Sequence, residues 1–138
     1  MTKPLTDLER LFQALADTTR LRILGLLLAG EVCVCHIHES LRIPQPKASR
    51  HLAYLKRAGL VAARKDGLWV HYRLADARDP VLAAIRVAVI QALGPIEAVR
   101  KDADRLYRKT GCCAPAEQLV SRTRLGTAPA PVEPPQGL

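Results

Sequence analysis

Apolar residues recur at Leu8, Leu11, Phe12 and Leu15, the i, i+3, i+4, i+7 spacing of one buried helix face. Thr6, with Glu9 three residues on, has the form of a capping box ahead of that face. A second helix is predicted to start near Asp17 to Thr19, whose oxygens can cap it, and to run through Leu21, Ile23, Leu24, Leu27 and Leu28 until Gly30. Pro44 and Pro46 then divide two short helical segments, and Pro46 suits the first turn of the latter because its missing N–H has no partner there anyway. The result is a helix, a short turn and a helix.

From Pro46 to Ala58 the pattern has two faces: Ala48, Leu52 and Leu55 on one, Lys47, Arg50, Tyr54 and Arg57 on the other. Gly59 supplies a left-handed cap, after which LVAARKDGLWVHYRL contains two runs that can pair across Asp66-Gly67 as a hairpin. In the second run Leu68, Val70, Tyr72 and Leu74 share one side, and Trp69, His71 and Arg73 the other. Helical spacing returns from Asp79 to Leu93, where Val81, Leu82, Ile85, Val89 and Leu93 form a stripe that Val87, Ala88 and Ile90 widen. Such a stripe packs against a second copy of the chain or against the chain's own core. Gly94-Pro95 breaks it, and Ile96 to Lys109 reads as a charged last helix. Beyond Ala114 lie five of the ten prolines and few apolar anchors, so residues 114–138 are expected to be a disordered tail on a domain of residues 1–113.

Composition adds a size and a partner. At 138 residues and 49% hydrophobic, the chain can bury one modest core. Its longest apolar run, Ile23 to Ala29, falls well short of the roughly 20 residues a bilayer needs, so a cytoplasmic protein without membrane contact is expected. Of a net charge of +8, the segment from Arg42 to Arg73 holds eight Lys/Arg against the single Asp66. That concentration is the footprint of a nucleic-acid binder. A helix–turn–helix followed by a β-hairpin is the winged-helix arrangement, mainly α with a β-hairpin wing, in which the second helix enters the major groove of double-stranded DNA and the wing follows the backbone. Lys47, Arg50 and Arg57 can reach guanine edges or phosphates, while Gln45, Ser49 and Tyr54 can hydrogen-bond bases or backbone. Arg64, Lys65 and Arg73 in the wing are placed for phosphates, and His51 is either structural or a DNA contact.

The stretches LADTTRLRILGLLLAGEVCVCHIHESL, QPKASRHLAYLKRAGLV and RKDGLWVHYRL resemble the bacterial ArsR/SmtB metalloregulators. The resemblance covers about Leu8 to Leu93 and is carried by Ser49, His51, Leu52, Leu55, the hairpin turn and the Cys-Val-Cys box. It implies a homodimeric winged-helix repressor that leaves its operator when a metal or metalloid binds, with the first and penultimate helices forming the dimer interface.

Cytoplasmic thiols stay reduced, so Cys33, Cys35, Cys112 and Cys113 read as metal-binding or redox-active ahead of a disulfide framework. Arsenic-sensing members of the family carry Cys-Val-Cys-x-x-Cys, whereas here His38 stands at the third position. Trivalent arsenic or antimony prefers three thiolates, for which Cys112-Cys113 can supply the third, while zinc or cadmium would accept His38. Residues i and i+2 of an ideal helix lie about 200° apart, so binding by Cys33 and Cys35 together is expected to distort the helix start and bias the DNA-reading unit. Two other readings use the same thiols: a redox or persulfide sensor in which Cys33 or Cys35 bonds to Cys112 or Cys113, and a thiol oxidoreductase. The second has no Cys-x-x-Cys and no acid–base constellation around the thiols, so an enzyme is not expected.

Overall fold

Residues 4–108, those described by the computed structural model, form six helices and a three-stranded sheet. In chain order these are α1 (Leu5–Leu15), α2 (Thr18–Leu26), β1 (Val32–Cys33), α3 (Val34–Leu41), α4 (Gln45–Arg57), β2 (Val61–Asp66), β3 (Trp69–Leu74), α5 (Pro80–Leu93) and α6 (Glu97–Tyr107). The fold is a mainly α winged helix–turn–helix, as the hydrophobic pattern predicts. Cys112, Cys113, Lys109 and the tail from Ala114 lie outside the described residues. No single helix among the described residues is long and apolar enough to cross a membrane.

Local signals set most boundaries. Asp17 caps α2 by accepting from the Arg20 N–H at 3.0 Å, and Asp79 caps α5 through the Leu82 N–H at 2.8 Å. A short 3-10 turn, Leu27–Ala29, ends α2 before Gly30, whose φ of 125° is open to glycine at little cost. The chain leaves α3 through Arg42 at φ 60°, with the Ile43 N–H bonded back to His38 O at 3.0 Å. That left-handed residue makes the turn between α3 and α4.

Three expectations change. The capping box of Thr6 and Glu9 does not form: Pro4 occupies the cap position in an extended conformation, so Thr6 already lies inside the first turn. Phe12 is half exposed, and Ala14 joins Leu11 as the buried contact of α1. The hairpin register pairs Asp66 with Trp69, which leaves Gly67-Leu68 as the two loop residues rather than Asp66-Gly67. Gly67 has φ 64° and Leu68 does not share it, so the turn is of type II′, which needs glycine first.

The core joins Leu11, Ile23, Leu26, Leu27, Ile37, Leu52 and Leu55 between α1, α2, α3 and α4. Against it lies α6, bent 84° from α5. Gly25 of α2 meets Val99 of α6 so closely that a Cβ there would stand 2.6 Å from Val99 Cγ1. The predicted charged helix thus has one buried edge, Val99, Asp102 and Leu106. Asp102 is fully buried and accepts from Arg22 at 2.9 and 2.7 Å, and from Arg105. The same two guanidinium groups donate onward to the last carbonyls of α3, Arg22 to Leu41 O at 3.2 Å and Arg105 to Ser40 O at 2.6 Å. Positive groups belong at a helix C-terminus, where orphan carbonyls concentrate negative charge.

Candidate functional site

On α4 the residues Ala48, Leu52 and Leu55 are wholly buried, which fixes the opposite side outward. Gln45, Lys47, Arg50 and Arg57 are exposed there and Ser49 is half-buried. Tyr54 carries the Arg20 guanidinium over its ring at 4.0 Å and that of Arg57 at 5.6 Å. Arg20 is itself held by the end of α1, donating to Ala14 O at 2.8 Å and Gln13 O at 2.9 Å. His51 faces the start of α2, with Nδ1 3.3 Å from Arg20 Nη1 and 3.8 Å from Asp17 Oδ2. Burial pushes its pKa below the usual 6.5, opposed by Asp17 and assisted by Arg20, Lys47 and Arg50. His51 is therefore tied to packing between α2 and α4, and sequence reasoning missed Arg20, the residue that links three helices.

In the wing, Arg64, Lys65 and Arg73 are exposed. Arg57 and Arg73 open into a cleft of about 630 Å³ that Arg10, Lys56 and Arg78 also line, apart from the Arg64 side chain. Arg64 donates to both oxygens of Glu31, Nη2 to Oε1 at 2.7 Å and Nε to Oε2 at 3.0 Å. This contact exists because the sheet has a third strand, which the sequence did not announce. The strand order is β1-β3-β2, and the register pairs Cys33 with His71 and His71 with Arg64. The cysteine box is thus sewn to the wing.

Cys33 ends β1 with extended backbone (φ −72°, ψ 145°) and is buried, while Cys35 is half-buried in the first turn of α3. Their sulfurs lie 3.7 Å apart, too distant to be bonded to each other. The two residues do not share a helix, so the opposition expected from helical arithmetic is absent: a strand–helix junction turns both sulfurs to one side. At 3.7 Å the two sulfurs are in contact with each other at the junction. His38 is not with them, since its Nδ1 lies 3.3 Å from Ile43 O in the turn after α3. His36 is buried. Among the described residues no three metal-ligating side chains gather at one point.

Residues 17–63 match the family described as bacterial regulatory protein, arsR family. The chain is similar to the arsenical resistance operon repressor of Escherichia coli strain K12, 56% identical over 66 residues, which are 47% of this chain and 56% of that protein. The match therefore spans little more than half of that repressor's length. An uncharacterized HTH-type transcriptional regulator of Methanocaldococcus jannaschii is 51% identical over 69 residues, 49% of this chain and 78% of that protein. Among solved structures, the homodimeric winged helix-turn-helix DNA-binding domain of a possible ArsR-family transcriptional regulator from Mycobacterium bovis aligns with a TM-score of 0.55 and 36% identity, over 64% of this chain and 79% of that one. The sequence match, the shared fold and the basic face of α4 together place this chain in the ArsR/SmtB family of winged-helix transcriptional regulators, which are not enzymes.

Proposed function

We propose that this regulator is a cytoplasmic, metalloid-responsive repressor whose homodimer binds operator DNA through α4 and the wing and leaves it when trivalent arsenic or antimony is captured by cysteine thiolates. The observation that carries the reading is the placement of Cys33 and Cys35, their sulfurs in contact, at the head of α3, the helix that the turn at Arg42 joins to α4. Gln45, Lys47, Ser49, Arg50 and Tyr54 read or grip the DNA from α4, and Arg57, Arg64, Lys65 and Arg73 hold phosphates. Cys33 and Cys35 supply two ligands, and Cys112 or Cys113 supplies the third. Chain length permits this within one protomer. Arg105 is anchored on Ser40 O, and Ser40 lies five residues, about 7.5 Å of helix, from Cys35. From Arg105 the last two residues of α6 add about 3 Å, and the five residues from Tyr107 to Cys112 can span up to roughly 17 Å more. Zinc or cadmium would fit a mixed sulfur and imidazole set, but His38 is engaged in the turn after α3. In this reading residues 1–113 are the DNA-binding and dimerisation domain and 114–138 an appendage.

The test is the anisotropy of labelled upstream DNA with reduced protein, titrated with arsenite, zinc and cadmium. Release by arsenite that is lost in Cys33→Ser and in the Cys112→Ser/Cys113→Ser double variant is the expected result. Operator affinity unchanged in saturating arsenite overturns it. The closeness of the two sulfurs also favours a second reading, a redox-responsive repressor in which Cys33 or Cys35 bonds to Cys112 or Cys113 on oxidation. Its mark is release by peroxide, with intact mass falling by the hydrogens lost in each disulfide, and indifference to arsenite.

A further inference from the structure

We infer that Glu31 is an affinity-setting residue of the DNA interface, a carboxylate that occupies the wing arginine Arg64 in place of a DNA phosphate. The inference rests on the DNA-binding reading above and concerns how that binding is tuned. Arg64 is the wing cation whose guanidinium is already engaged by a carboxylate at short range, through Nη2 to Oε1 at 2.7 Å and Nε to Oε2 at 3.0 Å. A two-pronged Arg–carboxylate pair uses the same donors, in the same plane, that a phosphate would use. Arg64 therefore cannot satisfy both partners with the same N–H groups, and the strength of its phosphate contact is set by what it gives up.

The placement of Glu31 makes the contact more than a local ion pair. Its carboxylate stands immediately ahead of β1, two residues before Cys33, and the register carries Cys33 to His71 and His71 to Arg64 across the sheet. Glu31 and Arg64 thus close a loop around the row that joins the cysteine box to the wing. With the Glu31 side chain about one fifth exposed and that of Arg64 about half exposed, the pair is accessible enough for a phosphate to displace it. Sequence spacing hides the contact, because the partners are 33 positions apart.

A double-mutant cycle on the full-length, reduced protein tests this, with operator affinity read across a salt series for wild type, Glu31→Gln, Arg64→Gln and the double variant. Glu31→Gln should tighten operator binding several-fold and steepen the plot of log affinity against log salt by about 0.9 for each phosphate Arg64 newly neutralises. In the Arg64→Gln background the same change should lose that gain. A gain that persists undiminished without Arg64 would overturn the inference, since the carboxylate would then act only through its general field. Weaker binding by Glu31→Gln would also overturn it, because Glu31 would then be aiming Arg64 at the phosphate. Should wild type bind no operator, both readings fall; should it bind and release with arsenite while the cycle is additive, only this one does.

Discussion

His51 lies on the recognition helix yet spends its ring on Asp17 and Arg20, and that choice has a pH signature. Its folded pKa is below the 6.5 of an unfolded chain, chiefly because burial disfavours the charged ring. Between those two values the unfolded state binds the extra proton, so stability rises with pH through this window, is fully present above it and is lost as pH falls below about 6.5. The urea midpoint should drop between about pH 7.5 and pH 5.5, and the drop should shrink in His51→Gln. An equal drop in both would place the titration elsewhere. Asp17 acts in a separate and more acidic range. Partial burial alone would raise its pKa, but the Arg20 backbone N–H, the Arg20 charge and His51 hold it below 3.8.

Helix α6 depends on one carboxylate. Asp102 has no exposed surface, and its two arginines in turn hold the final carbonyls of α3. Removing one member of such a buried set leaves the others desolvated and unpaired, so Asp102→Ala should lower the unfolding free energy by about 3–5 kcal/mol in denaturant titration, and Asp102→Asn by less. A loss under about 1 kcal/mol would mean that the arginines simply turn to water. This element also shows where the sequence stops being readable. Asp17, Asp79, the buried trio of α4 and the basic outward face of α4 are local patterns, legible within a few residues. Asp102 looks like any charge on a solvated helix because its partner Arg22 is 80 positions away. Strand β1 is two residues long and owes its existence to pairing with β3, so no propensity announces it. The cysteine pair was legible as a pair, but its geometry was misjudged by placing both residues in the helix that only Cys35 enters.

At the scale of the whole molecule, α5 is apolar around nearly its full circumference. Leu82, Ile85, Val89 and Leu93 turn to the core, while Val81, Ala84, Val87, Ala88 and Ala92 stay exposed. A helix apolar on both sides is suited to burial on both sides. The helix continues to serve its own core when the outer side is charged, so Val87→Asp should leave the protomer folded, convert dimer to monomer in sedimentation and weaken operator binding by at least tenfold. An unchanged dimer would assign the interface to another surface. The wing, by contrast, stands at the margin of the molecule and holds its only tryptophan, Trp69, opposite Asp66 beside the Gly67-Leu68 turn and two-fifths exposed. The protein thus comes with its own optical reporter: intrinsic tryptophan emission from the unlabelled chain follows the wing tip and leaves the helical core silent. A shift in colour or in acrylamide quenching on adding DNA or arsenite would be a signal from that hairpin, without any dye attached.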